Sequence, residues 1–192
     1  MDEEREAYLD RVLIGGREPA EILVVDYDER WPKRFREIAE RVRQALGEYA
    51  LGVEHIGSTS VPGLAAKPIV DVLLTVADVS NEAAYLPALE SAGFLLRVRE
   101  PAHRMVRTPA RDAHLHVYEA GRPEVRDYLD LRDWLRVNAE DCERYAATKR
   151  MLARQQWNDM NDYADAKTEV IYDLLARARA WRAGAMAARA RS

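Results

Sequence analysis

Residues 53–76, VEHIGSTSVPGLAAKPIVDVLLTV, constrain the fold of this chain more than any other stretch. Val53-Glu54-His55-Ile56 leads into a polar turn, Gly57-Ser58-Thr59-Ser60; after the punctuation of Pro62-Gly63 and Pro68 comes a second, apolar run, 69–76. The pattern reads as strand, turn, short helix or loop, and strand. Gly57 can take backbone angles closed to other residues, and three hydroxyls follow it. One carboxylate, Asp71, interrupts the second run. A charge in a buried strand is costly unless it meets a cation, so Asp71 is expected at the rim of a sheet. The alternative is a structural carboxylate accepting backbone hydrogen bonds at a strand end.

Helical periodicity is clearest over 31–49, where Trp31, Phe35, Ile38, Ala39, Val42 and Leu46 share one face, with Asp28 as cap and Pro32 in the first turn. Residues 2–12 read as a short peripheral helix ended by Gly15-Gly16 and Pro19, and 22–25 are β-rich. A helix is expected over 81–92, closed by Gly93, then strands over 94–99, 104–107 and 113–119 with Pro101 and Pro109 in the turns. The last strand alternates strictly. Leu115 and Val117 belong in the core, and His114, His116 and Tyr118 on the other face. From Pro123 the chain is helical: 124–135, a helix from about 140 capped by Asn138, an interruption at 158–162, and a helix over 163–181. The fold class is α/β (α+β): a small mixed sheet of about five strands with flanking helices and a helical C-terminal half. One domain spans 21–183, its sheet-containing half ending near 122, between an N-terminal appendage (1–20) and a tail (184–192).

The formal net charge of −4 argues against coating nucleic acid through bulk charge. Cys142 is the single cysteine, which excludes an intramolecular disulfide. No apolar run approaches the roughly 20 residues of a membrane span, and MDEEREAYLD lacks a signal-peptide core. A cytoplasmic protein without a membrane partner is expected.

Several residues suit phosphate or metal. Gly57 and Ser58 in a turn ahead of a helix suit phosphate oxygens, Thr59 and Ser60 add hydroxyls, and Lys67 is placed in sequence to neutralise phosphate; an ordinary polar turn is the plainer reading. His114 and His116, two apart on one strand face, suit joint metal ligation if Asp71 lies on a neighbouring strand, and otherwise a hydrated strand face. Such convergence requires both imidazoles within about 8 Å of the Asp71 carboxylate. Residues 97–111 are locally basic, so Arg104 and Arg107 are candidates to clamp an anion, or else members of a salt-bridged hairpin. His55 reads as a buried, hydrogen-bonded histidine, and the four tryptophans as helix core rather than base-stacking platforms.

Gly57-Ser58, a connection, then Asp71 on the next strand resembles the signature of the nucleotidyltransferase superfamily. More narrowly, HIGSTSVPGLAAKPIVDV resembles the GrpB family (UPF0157), and VVDYDERWPKRF resembles the start of that family's domain. The resemblance implies a nucleotidyltransferase-like fold that binds a nucleoside triphosphate, or another phosphorylated small molecule, with a divalent metal. It also implies transfer of a nucleotidyl group to an acceptor. Asp71, Ser58 and Lys67 would be catalytic, and Asp71, His114 and His116 would hold the metal, magnesium or manganese, with zinc as a further option. The family's helical half would bring Lys149, Tyr163 and Lys167 to the cleft, the lysines to phosphate. One departure stands out: the superfamily's second carboxylate, two residues after the first, is Leu73 here. That leaves two other readings open: a non-catalytic binding or support module, in keeping with the family's fusion to dephospho-CoA kinases of coenzyme A biosynthesis, and a metal-dependent hydrolase using His114 and His116.

Overall fold

Alternation along the strands decides which side of the sheet is core and which is site. The computed structural model describes residues 2–18, 22–157 and 160–189. Five strands form one mixed sheet: β1 (Gly52–Ile56), β2 (Val70–Val76), β3 (Leu95–Glu100), β4 (His103–Arg107) and β5 (Ala113–Glu119), in the order β1-β2-β5-β4-β3. Only the central pair, β2 and β5, is parallel. Val70, Val72 and Leu74 of β2 and Ala113, Leu115 and Val117 of β5 point to one face and are buried there with Ile38, Ala39, Val42 and Leu46 of helix α2 (Trp31–Leu46). This is the expected mixed α+β architecture, with Leu115 and Val117 in the core.

Helix α1 (Asp2–Val12) is anchored rather than loosely appended. Leu9, Val12 and Leu13 are buried against Val98, and the N–H of Ile14 donates to the Arg97 carbonyl at 2.8 Å. It covers the edge strand β3, whose unpaired backbone would otherwise be open to pairing. Pro19 lies outside the described residues.

Local expectations fail where a distant partner decides. Residues 22–25 make no strand: Val25 forms an isolated bridge with Ala66, through two 2.9 Å hydrogen bonds. Extending that antiparallel ladder would set Leu23 opposite Pro68, which has no N–H to give. Asp28 is not the N-cap of α2. Arg30 holds that position, while Asp28 closes the preceding turn by accepting the Arg30 N–H at 2.8 Å. The helix expected over 81–92 is split into a 3₁₀ turn (Glu82–Ala84) and α3 (Leu86–Ser91), because Pro87 has no N–H for the carbonyl four residues back.

Four helices complete the chain: α4 (Pro123–Val137), α5 (Ala139–Ala153), α6 (Met160–Asp165) and α7 (Thr168–Arg189). Asn138 caps α5 as expected, its side chain accepting the Asp141 N–H at 2.8 Å. Residues 154–157 are not helical, and helix has resumed at Met160, so 160–162 are not part of an interruption; Asn158 and Asp159 lie outside the described residues. The single helix expected over 163–181 is broken after Asp165, and Gly184 sits inside α7. Leu135, Tyr145, Ala146 and Leu174 of these helices form a second core with Val61, Leu64 and Ala65, so the helical half closes over the loop that follows β1. Among the described residues no helix is long and apolar enough to cross a membrane.

His55 belongs to the core side, as the sequence reading preferred. Its ring stacks on Phe35 at 4.7 Å, and its Nε2 lies 3.1 Å from the Thr59 hydroxyl. Burial pushes its pKa down to about 4, so the folded state keeps it neutral while an unfolded chain protonates it below about 6.5. Between those values the unfolded state binds the extra proton, and stability falls as pH drops through that window. At roughly 1.4 kcal/mol per pKa unit the loss approaches about 3 kcal/mol by pH 4. Urea unfolding at pH 7 and pH 4 checks this. The His55→Gln variant should lose markedly less stability than wild type between the two, and an unchanged loss would remove His55 as the cause.

Candidate active site on the far face of the sheet

The parallel pairing of β2 with β5 sets Asp71 level with His114, and Leu73 level with His116. Residues level with one another on neighbouring strands share a face, and here it is the face turned away from α2. Asp71 Oδ1 lies 3.5 Å from His114 Nδ1 and 3.6 Å from His116 Nε2. The ligand-type atoms of all three lie within 4.8 Å of one another, well inside the limit for convergence. Two metal–ligand bonds of about 2.1 Å at a tetrahedral angle span about 3.4 Å, so the spacing fits one divalent ion. A carboxylate with two imidazoles suits manganese or zinc better than magnesium. Burial acts to raise the Asp71 pKa, but hydrogen bonds and charge from His114 and His116 outweigh it and hold the carboxyl well below its usual range.

The surroundings hold these side chains in place. Gly57 has φ 67° and ψ −175°, and a Cβ there would lie 2.5 Å from Asp71 Oδ2. Only glycine lets the turn pass this close to the carboxylate. On the other side, His116 Nδ1 meets His103 Nε2 at 3.2 Å, and His103 Nδ1 meets Glu100 at 2.7 Å. A carboxylate–histidine chain behind a ligand-type histidine fixes its ring orientation and tautomer.

A cleft of about 370 Å³ opens here, lined by Gly57, Ser58, Asp71, His114 and His116 from the sheet side and by Lys67, Lys149, Tyr163 and Lys167 opposite. The Tyr163 ring has Lys67 Nζ 5.3 Å and Lys167 Nζ 4.5 Å from its centre. Burial, reinforced by Lys67, pushes Lys167 down to about 8. Lys149 is only 3% exposed; its Nζ donates to Ser58 Oγ at 2.8 Å and to the Ala65 carbonyl. Burial, helped by the charge of Lys167, pushes it down to about 7. Crowded, desolvated lysines facing an open cleft are stabilised by an incoming anion.

The family model of the GrpB protein matches residues 21–177. This chain belongs to the GrpB family. A UPF0157 protein of Streptomyces coelicolor is 55% identical over 170 residues, which cover 88% of this chain and 91% of that protein. The crystal structure of the conserved protein GrpB from Enterococcus faecalis superposes with a TM-score of 0.74 at 32% identity, covering 83% of this chain and 99% of that one. A structure of the Cid1 poly(U) polymerase, at 14% identity, superposes with a TM-score of 0.55 over 74% of this chain and 49% of its own. That likeness is one of fold, and it fits the nucleotidyltransferase-like architecture.

In this GrpB-family chain the cleft unites Gly57, Ser58, Lys67, Asp71, His114, His116, Lys149 and Lys167. Four other candidate phosphate contacts are engaged elsewhere. Thr59 lines the cleft too, but its hydroxyl faces His55, and the Ser60 hydroxyl donates to the Gly57 carbonyl at 2.6 Å, so both hydroxyls serve the turn itself. Arg104 pairs in register with Val117, hence on the core face, and its guanidinium is held by Glu82. Arg107 shares the face of His114 but is gripped by both carboxylate oxygens of Glu18, at 2.7 and 2.8 Å. The salt-bridged hairpin is the better description of 97–111. Sequence reasoning missed Tyr128 and Tyr145, which line the cleft and read as helix core. It also missed the chain from His116 to Glu100. One signal was available for the lysines: of 29 basic residues only Lys33, Lys67, Lys149 and Lys167 are lysine, and three of those four meet in this cleft.

Replacing Gly57 by Ala should displace the Asp71 carboxylate and place a Cβ at a backbone conformation open almost only to glycine, at a cost of about 1–3 kcal/mol. Urea unfolding should report that loss, and manganese titration should show affinity at least ~10-fold weaker. Unaltered manganese binding in the folded variant would mean that Asp71 is not a ligand.

Proposed function

We propose that this chain binds a nucleoside triphosphate together with one divalent cation and transfers the nucleotidyl group to an acceptor hydroxyl. The observation that carries the reading is the meeting, in one cleft, of Asp71, His114 and His116 with Ser58 and three lysines. Asp71, His114 and His116 would hold the cation, which when bound supplies Lewis-acid polarisation of a phosphoryl oxygen. Ser58 orients a phosphate, while Lys67 and Lys167 offset the charge that builds on the departing pyrophosphate. Over the whole reaction the α-phosphorus exchanges its bond to pyrophosphate for one to the acceptor oxygen. Glu100 and His103 keep the His116 ring aimed at Asp71.

A second reading, a binding module without turnover, draws on Leu73. This residue is 1% exposed and packs with Ile56, Tyr118 and Tyr128, so the site has one strand carboxylate where the superfamily has two. The two readings part on pyrophosphate release, which a module would not produce with any acceptor.

Thermal shift with ATP, CTP, GTP and UTP, each with magnesium or manganese, tests the shared core of both. A triphosphate at about 100 times its Kd stabilises by roughly 2.7 kcal/mol. For a domain of this size that raises Tm by about 5–10 °C. The rise should be larger with manganese than with magnesium, and His116→Ala should remove the metal dependence. No shift with any triphosphate in either metal would overturn the reading.

A further inference from the structure

The environment of Lys149 does more than a phosphate-binding cation requires. Its Nζ has three close neighbours: Ser58 Oγ at 2.8 Å, the Ala65 carbonyl, and the Tyr145 ring, whose centre is 4.5 Å away. Among the described residues no carboxylate forms an ion pair with it. As an ammonium Nζ donates to both oxygens; as a neutral amine it keeps one N–H for the Ala65 carbonyl and turns its lone pair to the Ser58 hydroxyl. An ammonium buried here without a counter-ion would be costly. Ser58 in turn follows directly on Gly57, whose left-handed conformation turns the chain sharply out of β1.

Ser58 also stands where two cavities meet. On one side is the cleft of Asp71; on the other is a mostly apolar cavity of about 340 Å³, walled by Leu131, Leu135, Tyr145, Ile171 and Leu175. Lys149 itself is buried, and burial favours its uncharged form.

We propose that Ser58 and Lys149 form a nucleophile–base pair, in which Ser58 attacks phosphorus and carries the transferred group as a covalent serine ester. Only the identity of the natural electrophile, the α-phosphorus of a nucleoside triphosphate, rests on the function proposed above. In the first step Ser58 Oγ bonds to phosphorus, its proton passes to Lys149 Nζ, and pyrophosphate leaves with the electron pair of the broken P–O bond. In the second, an acceptor hydroxyl attacks the serine ester and loses its proton to water, while Lys149 returns a proton to Ser58 Oγ. Serine–lysine pairs work on this principle on unrelated folds. The depressed value of Lys149, about 7, leaves a large neutral fraction near neutral pH. The charged and titratable groups that set it are Lys167 and Asp71 across the cleft, with Cys142 and Arg150 on its own helix.

Diisopropyl fluorophosphate tests this directly, because it presents an electrophilic phosphorus with small apolar arms and needs neither nucleoside nor metal. Peptide mass spectrometry should find the adduct on Ser58, formed at a rate that rises with pH through about 7. Ser58→Ala should give none. Lys149→Met should slow labelling by about 100-fold, the lower range for loss of a general base. If Lys149→Met proves misfolded by near-ultraviolet circular dichroism, Lys149→Arg replaces it, since a guanidinium keeps the charge but cannot take the proton. No adduct on Ser58, or an equal rate without Lys149, overturns the pair and leaves triphosphate binding untouched. Intact, Lys149-dependent labelling in a protein that shows no triphosphate shift supports the pair and removes only the triphosphate.

Discussion

The register between β2 and β5 is the constraint on which the site depends. Asp71 meets His114 and His116 only because the two strands run parallel with Asp71 level with His114. A slip of one residue would turn the carboxylate to the opposite face from the histidines. What prevents it is the other side of the sheet: Val70, Val72, Leu74, Ala113, Leu115 and Val117 all sit at or below 1% exposure under α2. Burying each larger side chain is worth about 1.5–3 kcal/mol, and a slip would forfeit most of them at once. The site's geometry is thus inherited from an apolar core that never touches it.

Charge is distributed by side-chain type. Arginines are tied to carboxylates around the periphery: Arg99 and Arg104 to Glu82, Arg107 to Glu18, Arg179 to Asp127, and Arg182 to Asp130 and Asp133. The planar guanidinium favours such fixed, two-pronged pairing, whereas a lysine changes its protonation readily when buried. Lysine is accordingly scarce and concentrated in the cleft. The Tyr163 ring, within cation–π reach of both Lys67 and Lys167, holds the two near one another without quenching either.

Much of this could be read from the chain alone, for a definable reason. The strand–turn–strand block, the alternation of β5 and the stripe of α2 are local patterns, and each is found where the pattern puts it. The convergence of Asp71 with His114 and His116 followed from period two plus one assumption about neighbouring strands. Arg104 and Arg107 stayed open between anion clamp and salt-bridged hairpin because their fate is set by Glu82 and Glu18, separated from them by 22 and 89 residues. Val25 failed to nucleate a strand because Pro68, far along the chain, ends the ladder it would have needed. No periodicity within a segment carries such information. The closing of α5 and α7 over the Gly57 turn, which delivers Lys149 and Lys167, is likewise a tertiary event.

Leu73 shows how deeply the single-carboxylate character is built in. It faces the site side of the sheet, level with His116, yet it is closed off by Ile56, Tyr118 and the α4 residues Val125, Tyr128 and Leu129. An aspartate placed there would meet aromatic and aliphatic surface instead of a cation, and its charge would carry a desolvation cost of several kcal/mol. The loss of the second carboxylate is therefore matched by a helix packed to cover its position. In its place the neighbouring strand offers His114 and His116, and behind His116 the chain through His103 to Glu100 places a carboxylate one remove from the site. One carboxylate thus lies further out, and imidazoles line the site beside Asp71. A cleft arranged this way repels an incoming polyphosphate less than one carrying two carboxylates does, and the mechanism proposed above accordingly leans on the protein's own side chains, Ser58 and Lys149 foremost.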